Sequence, residues 1–355
     1  MGSLEVGSLG RVLLYGPTWI GDTVMATPLL VSLRRALPGA RLEALTPPWC
    51  RGLLEGSPYL EEVIVPKGTG GSPQPTLSEW LKTALSLRKR RYDLAILLPN
   101  SFKAALVARL AGARRRLGYA TGGRAFLLTH AVPPPSGDEP PHLVDCYLGL
   151  LEAMGLEPSF REPTLTVSPE AAAFAEGLGR ELGLGEEEVV VGLNPGAFFG
   201  ASKMWLPEFY GQLAVKLYEE MGARVLLLGG RAEVPVAEGI SQLSGRRALS
   251  IAGRDTLSTL PAILKRLDAL VSGDTGPLHI AAAVGTPVVA LFGPTDPRRT
   301  APRGRVGVVI RRDLECSPCF DRECSTDHRC MREIGAEEVF RAVAGVLRRG
   351  AGLRP

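Results

Sequence analysis

Hydrophobic positions along this chain follow two periods. Short, almost continuously apolar runs predict buried strands at 11–15, 40–46, 62–65, 94–98, 116–118, 189–193, 224–228, 269–272 and 288–292. Between them, segments with an apolar residue every three or four positions predict helices at 29–37, 77–89, 103–111, 143–154, 207–221, 233–243, 257–266 and 277–284. Apolar strands that alternate with helices are typical of α/β folds, in which helices cover both faces of parallel sheets.

Two segments interrupt this alternation. The proline-rich segment 132–141 predicts an exposed loop, and 157–170 predicts a linker. Because 355 residues are ample for two separate cores, we predict an N-terminal domain over 1–165 and a C-terminal domain over 166–335. Residues 336–355 are predicted to form a C-terminal helix and tail, with packing on the N-terminal domain as one arrangement. Two such domains would leave a cleft between the carboxyl ends of their strands, where α/β proteins bind ligands.

A polar loop at 273–276 connects a predicted strand to a predicted helix. Pro277 suits the first position of that helix, where its missing N–H costs nothing. Free N–H groups at a helix start, together with its partial positive charge, favour an anion such as a nucleotide diphosphate, and His279 would lean toward it. An ordinary strand-to-helix turn with Asp274 as the N-cap explains the segment equally well.

A second glycine-rich turn, 16–22, follows the first predicted strand and contains one carboxylate, Asp22. Thr27 and Pro28 look like the cap and first residue of a helix, so we predict that Asp22 lies on an irregular turn before it. At the carboxyl end of a parallel strand, Asp22 could act as a general base, or it could simply cap a helix. The turn lacks G-x-G-x-x-G spacing, which disfavours an NAD-dependent dehydrogenase.

Two later loops contribute candidate charges. The ammonium of Lys203 could neutralise a diphosphate leaving group, and a surface lysine beside a core Trp205 is the alternative. Glu233 follows two glycines after a predicted strand. Its carboxylate could accept hydrogen bonds from a ribose, or it could start a helix.

The charge of the chain is mildly positive but unevenly distributed. The net charge is +4, whereas the segment 82–124 contains eleven lysines and arginines and a single acid, Asp93. This segment could present a basic face to an anionic acceptor or membrane surface, or its charges could be solvated helix ends. We predict no nucleic-acid partner. No apolar run approaches the roughly 20 residues of a membrane span, and the first apolar run is too short for a signal peptide, so we expect a cytoplasmic protein.

Seven motifs are spread over most of the chain, and the similarity that they carry runs from residue 11 to residue 347. They are G-P-T-W-I-G-D-T-V-M-A-T-P-L-L at 16–30, T-P-P-W-C at 46–50, L-P-N-S-F-K-A-A-L at 98–106, N-P-G-A at 194–197, K-M-W-L-P at 203–207, S-G-D-T-G-P-L-H-I-A-A-A at 272–283 and G-P-T-D-P at 293–297. Together they resemble the ADP-heptose:lipopolysaccharide heptosyltransferases of glycosyltransferase family 9, in particular the heptosyltransferase II type. The resemblance implies a GT-B architecture, with two Rossmann-like domains facing each other across a cleft. The first domain would bind the acceptor and the second the sugar nucleotide.

The resemblance also implies a reaction and the residues that perform it. Heptose would pass from ADP-L-glycero-D-manno-heptose to the inner-core heptose of lipopolysaccharide with inversion, Asp22 being the base and Lys203 the phosphate-binding lysine. The other donor-binding residues implied are Gly196, Ala197, Glu233, Asp274, Thr275, Gly276 and His279. The implied acceptor-binding residues are Thr18, Trp19, Gly21, Asn100, Ser101 and Lys103. Some relatives have hydroxyl residues where this chain has Gly196 and Ala197, so a phosphate contact there must come from backbone N–H groups.

With these implied roles, a single displacement at the anomeric carbon is sufficient for the transfer. Asp22 would remove the proton of the acceptor hydroxyl, while Lys203 and the helix start near Gly276 would stabilise charge on the departing ADP, with no cofactor or catalytic metal. The acceptor would be a lipid A–core oligosaccharide, and the enzyme would associate peripherally with the cytoplasmic face of the inner membrane. A sugar-nucleotide epimerase of the same architecture and a non-catalytic nucleotide-sugar-binding protein are the alternatives.

The six cysteines pose a separate question. Four of them lie close together in the sequence: Cys316, Cys319, Cys324 and Cys330. With His328 nearby, they could hold a structural zinc ion, form disulfides, or remain free thiols. Cys50 and Cys146 are predicted to be isolated buried thiols.

Overall fold

The computed structural model describes residue 7 and residues 9–66, 75–137, 139–304 and 307–350. The chain divides into two compact units, Met1–Thr166 and Val167–Pro355. Each unit contains a six-stranded sheet whose strands are all parallel to their neighbours. The predicted α/β fold class with two Rossmann-like halves is therefore confirmed.

The first unit has the strand order of dinucleotide-binding folds. Its strands are β1 (Arg11–Tyr15), β2 (Arg41–Leu45), β3 (Glu62–Ile64), β4 (Leu94–Leu97), β5 (Arg115–Tyr119) and β6 (His130–Val132). Its helices are α1 (Ile20–Met25), α2 (Thr27–Ala36), α3 (Arg51–Leu54), α4 (Leu77–Leu87), α5 (Phe102–Leu110) and α6 (Leu143–Glu152). The sheet order is β3-β2-β1-β4-β5-β6, so the direction in which strands are added reverses between β1 and β4. Ligands bind at such a switch point, at the carboxyl ends of the strands.

The second unit repeats this topology. Its strands are β7 (Val190–Asn194), β8 (Arg224–Leu227), β9 (Ala248–Ser250), β10 (Ala269–Gly273), β11 (Val288–Phe292) and β12 (Gly307–Arg311). Its helices are α7 (Pro169–Glu181), α8 (Pro207–Met221), α9 (Val234–Leu243), α10 (Leu260–Lys265), α11 (Gly276–Ala283), α12 (Pro297–Thr300), α13 (Arg329–Arg332) and α14 (Ala336–Gly350). The order β12-β11-β10-β7-β8-β9 places its switch point between β7 and β10.

Alternation within the central strands builds a core on each face of a sheet. In β4, Leu94 and Ile96 pack in one hydrophobic cluster, whereas Ala95 and Leu97 pack in another. Successive side chains of a strand point to opposite faces, so a strand covered on both sides must be apolar throughout. This requirement explains why the central strands could be recognised in the sequence.

The C-terminal helix corrects one domain prediction. Val339, Val343 and Val346 are fully buried in the same cluster as Val271 of β10 and Leu291 of β11. Their spacing of four and three residues puts them on one face of α14. The helix is therefore part of the second unit's core, so the predicted boundary at residue 336 does not separate two compact units; residues 351–355 lie outside the described residues.

Other differences involve short or partly polar elements. The strands β6, β9 and β12 and the helix α7 were not predicted. The linker is confirmed up to Ser168, whose hydroxyl caps α7 by accepting from Ala171 N, with Pro169 as the first helical residue. Residue 138 of the predicted loop 132–141 lies outside the described residues. Val132, the first residue of that predicted loop, is the last residue of β6.

Asp22 is the most consequential difference. It lies in the first turn of α1 and not on an irregular turn. The helix forms because Trp19 N-caps it in an extended conformation and its carbonyl accepts hydrogen bonds from Thr23 N and Thr23 Oγ1, both at 2.9 Å. Thr27 is the first residue of α2 and not its cap, since Ala26 occupies that position.

Candidate active site

The loops after β7 and β10 meet at the switch point of the second sheet. Asn194, the last residue of β7, donates from Nδ2 to the hydroxyls of Ser272 at 3.0 Å and Thr275 at 3.1 Å. The carbonyl of Asn194 accepts a hydrogen bond from the buried Tyr210 hydroxyl at 3.0 Å. These bonds fix the two loops to each other, and they place Thr275 beside the end of β7.

A buried ion pair joins the loop after β7 to the loop after β10. Lys203 Nζ is 2.8 Å from Asp274 Oδ2 and 2.9 Å from the Asp274 carbonyl oxygen, and His279 Nε2 is 3.3 Å from Asp274 Oδ1. The side chains of Lys203, Asp274 and His279 are only 11%, 6% and 5% exposed. Burial alone would raise the pKa of Asp274, but the His279 hydrogen bond and the Lys203 charge together lower it well below its ordinary value. Asp274 is therefore an anion that fixes the direction of the Lys203 ammonium.

Helix α11 begins directly after this ion pair. Its N-cap is Thr275, so the alternative in which Asp274 caps the helix is wrong. The Thr275 side chain makes no capping hydrogen bond, and Gly276 is the first helical residue. The first-turn N–H groups can therefore bind an anion, which the helix dipole also favours. Gly273 keeps the loop tight, because a Cβ there would lie 2.7 Å from the Lys203 carbonyl oxygen.

Glu233 lies on a surface lined by glycines. A Cβ on Gly196 would lie 2.4 Å from Glu233 Cγ, and one on Gly229 would lie 2.7 Å from Glu233 Cβ. The structure thus brings Gly196 and Glu233 together, after neighbouring strands β7 and β8. Ala197 is half-buried next to Gly196 and presents no polar side-chain atom, as its residue type requires.

Two residues of this site were not predicted as site residues. The Phe199 ring lies under Lys203, with Nζ 4.8 Å from the ring centroid, a distance at which the ring attracts the cation. Asn194 ties the two loops together as described above. The motif N-P-G-A contained a signal for Asn194, because an amide at the end of a buried apolar strand needs polar partners. Nothing in the sequence pairs Phe199 with Lys203.

In the first unit, Asp22 lies half-buried at the start of α1, near the end of β1. Burial raises the pKa of the Tyr147 hydroxyl and of the Cys50 thiol, and the charge of Asp22 raises both further. The carboxylate is therefore close to both groups. Thr18 and Trp19 are exposed before it, with the Thr18 carbonyl accepting from Trp49 Nε1 at 2.8 Å. Gly21 precedes Asp22 in α1, so the predicted residues 18, 19, 21 and 22 do lie together.

The loop after β4 contains the other predicted acceptor residues. Ser101 caps α5, its hydroxyl accepting from Ala104 N at 3.2 Å. Lys103 Nζ lies 5.0 Å from the Trp80 ring centroid, and partial burial lowers its pKa. The fully buried Arg124 donates to Asn100 Oδ1 at 2.9 Å and to the carbonyl oxygens of Ser101 and Pro99. Arg124 therefore holds this loop in shape, a role that its place in a basic segment did not reveal.

The rest of the basic segment does not form a single charged face. Arg90 pairs with Glu43 at 2.8 Å and with Glu62 at 2.6 Å, and Arg116 donates to the carbonyl oxygens of Leu127 and Ala113. Among the exposed cations, Arg88, Lys89 and Arg91 precede β4, and Arg114, which pairs with Asp93 at 3.6 Å, precedes β5. They lie at the amino edge of the sheet, opposite the switch-point loops. An anion bound near Asp22 would not meet them.

The four C-terminal cysteines are free thiols in the structure, with Cys330 buried and the other three exposed. Within the described part of the chain, no group of three or more His, Cys, Asp or Glu side chains is arranged to hold a metal ion. Cys50 is buried as predicted, whereas Cys146 is only partly buried.

The comparisons with known proteins decide the family. The model of glycosyltransferase family 9 (heptosyltransferase) matches residues 80–329. The lipopolysaccharide heptosyltransferase 2 of Escherichia coli K12 is 33% identical over 315 residues, which are 85% of this chain and 88% of that protein. The chain belongs to glycosyltransferase family 9.

Solved structures agree with this assignment. The E. coli ADP-heptose lps heptosyltransferase II superposes with a TM-score of 0.79 at 29% identity, covering 96% of this chain and 99% of that one. The UDP-GlcNAc 2-epimerase of Methanocaldococcus jannaschii shares only the fold, with a TM-score of 0.51 and 11% identity over 96% of this chain and 93% of that one. The family-9 chain is thus an enzyme of the glycosyltransferase class. None of its described helices combines the length and the hydrophobicity needed to cross a membrane.

Proposed function

We propose that this chain transfers heptose from ADP-heptose to the inner-core heptose of lipopolysaccharide, with inversion at the anomeric carbon. Its E. coli relatives act on lipopolysaccharide and are named for heptose and ADP-heptose. The observation that supports the proposal best is the buried Lys203–Asp274–His279 cluster at the start of α11. In the proposed complex, the Lys203 ammonium of this cluster contacts the diphosphate of the sugar nucleotide.

The donor diphosphate binds between the Lys203 ammonium and the first-turn N–H groups of α11. Lys203 is held by Asp274 in the direction that it needs, so little reorganisation is required when charge develops on the leaving ADP. Glu233 accepts hydrogen bonds from the ribose hydroxyls, and the absence of a side chain at Gly196 leaves room for that carboxylate. The phosphate contact at residues 196 and 197 comes from backbone N–H groups.

Asp22 acts as the general base. It accepts the proton of the acceptor hydroxyl as the oxygen attacks the anomeric carbon, and the carbon–oxygen bond to ADP breaks in the same step. One displacement at this carbon inverts its configuration.

The acceptor is presented at a membrane surface, which the first unit meets with its carboxyl edge. Phe102 and Phe126 follow β4 and β5 at this edge, with 47% and 71% of their surfaces exposed and ring centroids 6.0 Å apart. Exposed aromatic pairs mark contact sites, and aromatic rings favour the interfacial region of a bilayer. The basic residues at the opposite edge take no part in this contact.

Incubation with ADP-heptose, with and without a truncated inner-core acceptor, tests the proposed function. We expect ADP release only in the presence of acceptor, together with a product that is one heptose heavier and inverted at the new anomeric centre. Turnover of the donor without acceptor would indicate an epimerase or a hydrolase, and ADP binding without any turnover would indicate a binding protein. Either result would contradict the proposal.

A further inference from the structure

The loop that contains Lys203 is held by a distant part of the second unit. Ser202, only 2% exposed, donates from its N–H to the Arg322 carbonyl oxygen at 3.1 Å and from Oγ to the Asp321 carbonyl oxygen at 2.5 Å. The carbonyl oxygen of Ser202 accepts a hydrogen bond from His328 Nε2 at 2.8 Å. The backbone and side-chain groups of Ser202 are thus bonded to residues 321–328. We call residues 316–330 the cysteine segment, because Cys316, Cys319, Cys324 and Cys330 lie in it.

The contact between the two segments is close. A Cβ on Gly200 would lie 2.2 Å from the Arg322 carbonyl oxygen, so no larger residue fits while the cysteine segment keeps this position. The Phe199 ring has Lys203 Nζ 4.8 Å from its centroid and the Arg322 guanidinium carbon 5.6 Å from it. A displacement of the cysteine segment would therefore move both the backbone before Lys203 and the ring under its ammonium.

The other end of the cysteine segment is attached after β11. Ser317 Oγ donates to the Gly293 carbonyl oxygen at 2.6 Å, and Phe320 N donates to the Pro294 carbonyl oxygen at 2.8 Å. Cys319 lies between the two residues attached after β11, Cys324 lies between the residues bonded to Ser202, and both thiols are exposed. The Cys324 sulfur is also hydrogen-bonded to the Thr326 hydroxyl at 3.4 Å, within the stretch that bonds Ser202.

We propose that the cysteine segment positions Lys203 in the donor site and that its exposed thiols form a modification site through which thiol-directed reagents weaken donor binding. A group bonded to Cys324 disturbs the hydrogen bond between its sulfur and Thr326, which lies within the stretch 321–328 that bonds Ser202, so the carbonyl groups of residues 321 and 322 shift and Ser202 loses its partners. The inference rests on the proposed function, because it takes Lys203 as the residue that binds the donor diphosphate.

Coupling of this kind is reciprocal. If modification of Cys324 lowers the affinity for a nucleotide diphosphate, bound nucleotide must disfavour the displaced form of the segment. Bound ADP should therefore slow the reaction of Cys324 with a maleimide, even though Lys203 and not Cys324 contacts the phosphate. A segment with a purely structural role would show no such protection.

The experiment measures ADP affinity by calorimetry and alkylation of the full chain by N-ethylmaleimide. In the alkylation the thiolate sulfur adds to one carbon of the maleimide double bond and the other carbon takes up a proton, so no oxidant is needed. We expect alkylation to weaken ADP binding by about three- to tenfold, the loss of roughly one hydrogen bond. Peptide mass spectrometry should show Cys324 reacting more slowly in the presence of ADP. Replacing Cys316, Cys319 and Cys324 by serine should abolish the effect of alkylation on affinity.

Two variants test the attachment itself. Ser202→Ala removes the bond to Asp321, and His328→Asn removes the bond to Ser202 while suiting the left-handed backbone at this position. Both should weaken ADP binding by a similar factor, whereas Glu323→Gln, an exposed change on the same segment, should not. Thermal melting identifies a variant that fails to fold. In that case the alkylation of the unmutated chain tests whether the cysteine segment affects donor binding.

The outcomes separate the two proposals. If the unmutated chain does not bind ADP, the donor site is wrong and the inference falls with it. If it binds ADP but alkylation, Ser202→Ala and His328→Asn all leave the affinity unchanged, the inference is overturned and the donor site stands. An effect of alkylation that persists in the triple serine variant also overturns the inference, since the reactive thiol would then lie elsewhere.

Discussion

Replacing Lys203 by methionine separates the structural from the chemical role of the buried ion pair. Methionine keeps the length of the side chain but leaves the Asp274 carboxylate without its cation, at a site where that carboxylate is 6% exposed. Removing one member of a buried pair typically costs 3–5 kcal/mol in the free energy of unfolding. His279 Nε2, at 3.3 Å, still contacts this carboxylate, so we expect a cost at the lower end of this range, about 3 kcal/mol.

The effect on catalysis should be larger than the effect on stability. Without the ammonium, charge on the departing ADP is stabilised by the α11 N–H groups alone, and loss of one preorganised donor of this kind lowers kcat by about 10²- to 10³-fold. The double variant Lys203→Met with Asp274→Asn removes the unpaired carboxylate as well. We expect it to recover most of the stability and none of the activity.

Urea denaturation and initial rates of ADP release, measured at saturating acceptor, distinguish these contributions. Recovery of activity together with stability in the double variant would refute the reasoning, because Lys203 would then act only through the fold. Unchanged kcat in the single variant would refute it more directly.

Three further predictions concern other charged groups. The Glu43 carboxylate accepts hydrogen bonds from Tyr92, Arg41 and Arg90. Burial alone would raise its pKa, but these hydrogen bonds outweigh burial and lower it. The contribution of Glu43 to stability is therefore present above about pH 4.3 and is lost as the pH falls through the folded-state pKa. Glu43→Gln should therefore reduce the free energy of unfolding at pH 7 by about 2 kcal/mol and much less at pH 3, in urea titrations at both pH values. Burial raises the pKa of Asp255 to about 6, so the ionised carboxylate destabilises the fold above that pH. Asp255→Asn should therefore raise Tm at pH 7.5 but not at pH 4, and calorimetry measures both values. Arg124→Gln should raise the acceptor KM several-fold without changing the ADP affinity, and an unchanged acceptor KM would show that the loop does not bind the acceptor.

The sequence predicted the regular part of the fold because the central strands are covered on both faces. The run Val288–Phe292 is buried at every position, and such runs cannot be mistaken for surface segments. The edge strand His130–Val132 is half-buried at each of its three positions, so it carries no comparable signal. The helix Ile20–Met25 was missed because its start depends on the backbone of Trp19 and on no capping side chain.

The parts of the site that consist of neighbouring residues in the sequence could be predicted. The loop at 273–276 could be recognised from its glycines, its polar residues and Pro277. The ion pair between Lys203 and Asp274 joins residues 71 positions apart, so only the fold reveals that Asp274 holds the lysine. The same applies to Arg124, which sequence alone assigns to a basic segment and the structure assigns to the loop at Asn100.

The central claim, that Asp22 is the base for heptose transfer, is tested most directly by Asp22→Asn. We predict that this variant binds ADP as tightly as the unmutated chain, since Asp22 takes no part in holding the donor. Its acceptor-dependent release of ADP from ADP-heptose should fall by about 10²- to 10⁴-fold, as expected for loss of a general base. Release at a rate within a few-fold of the unmutated chain would contradict the account.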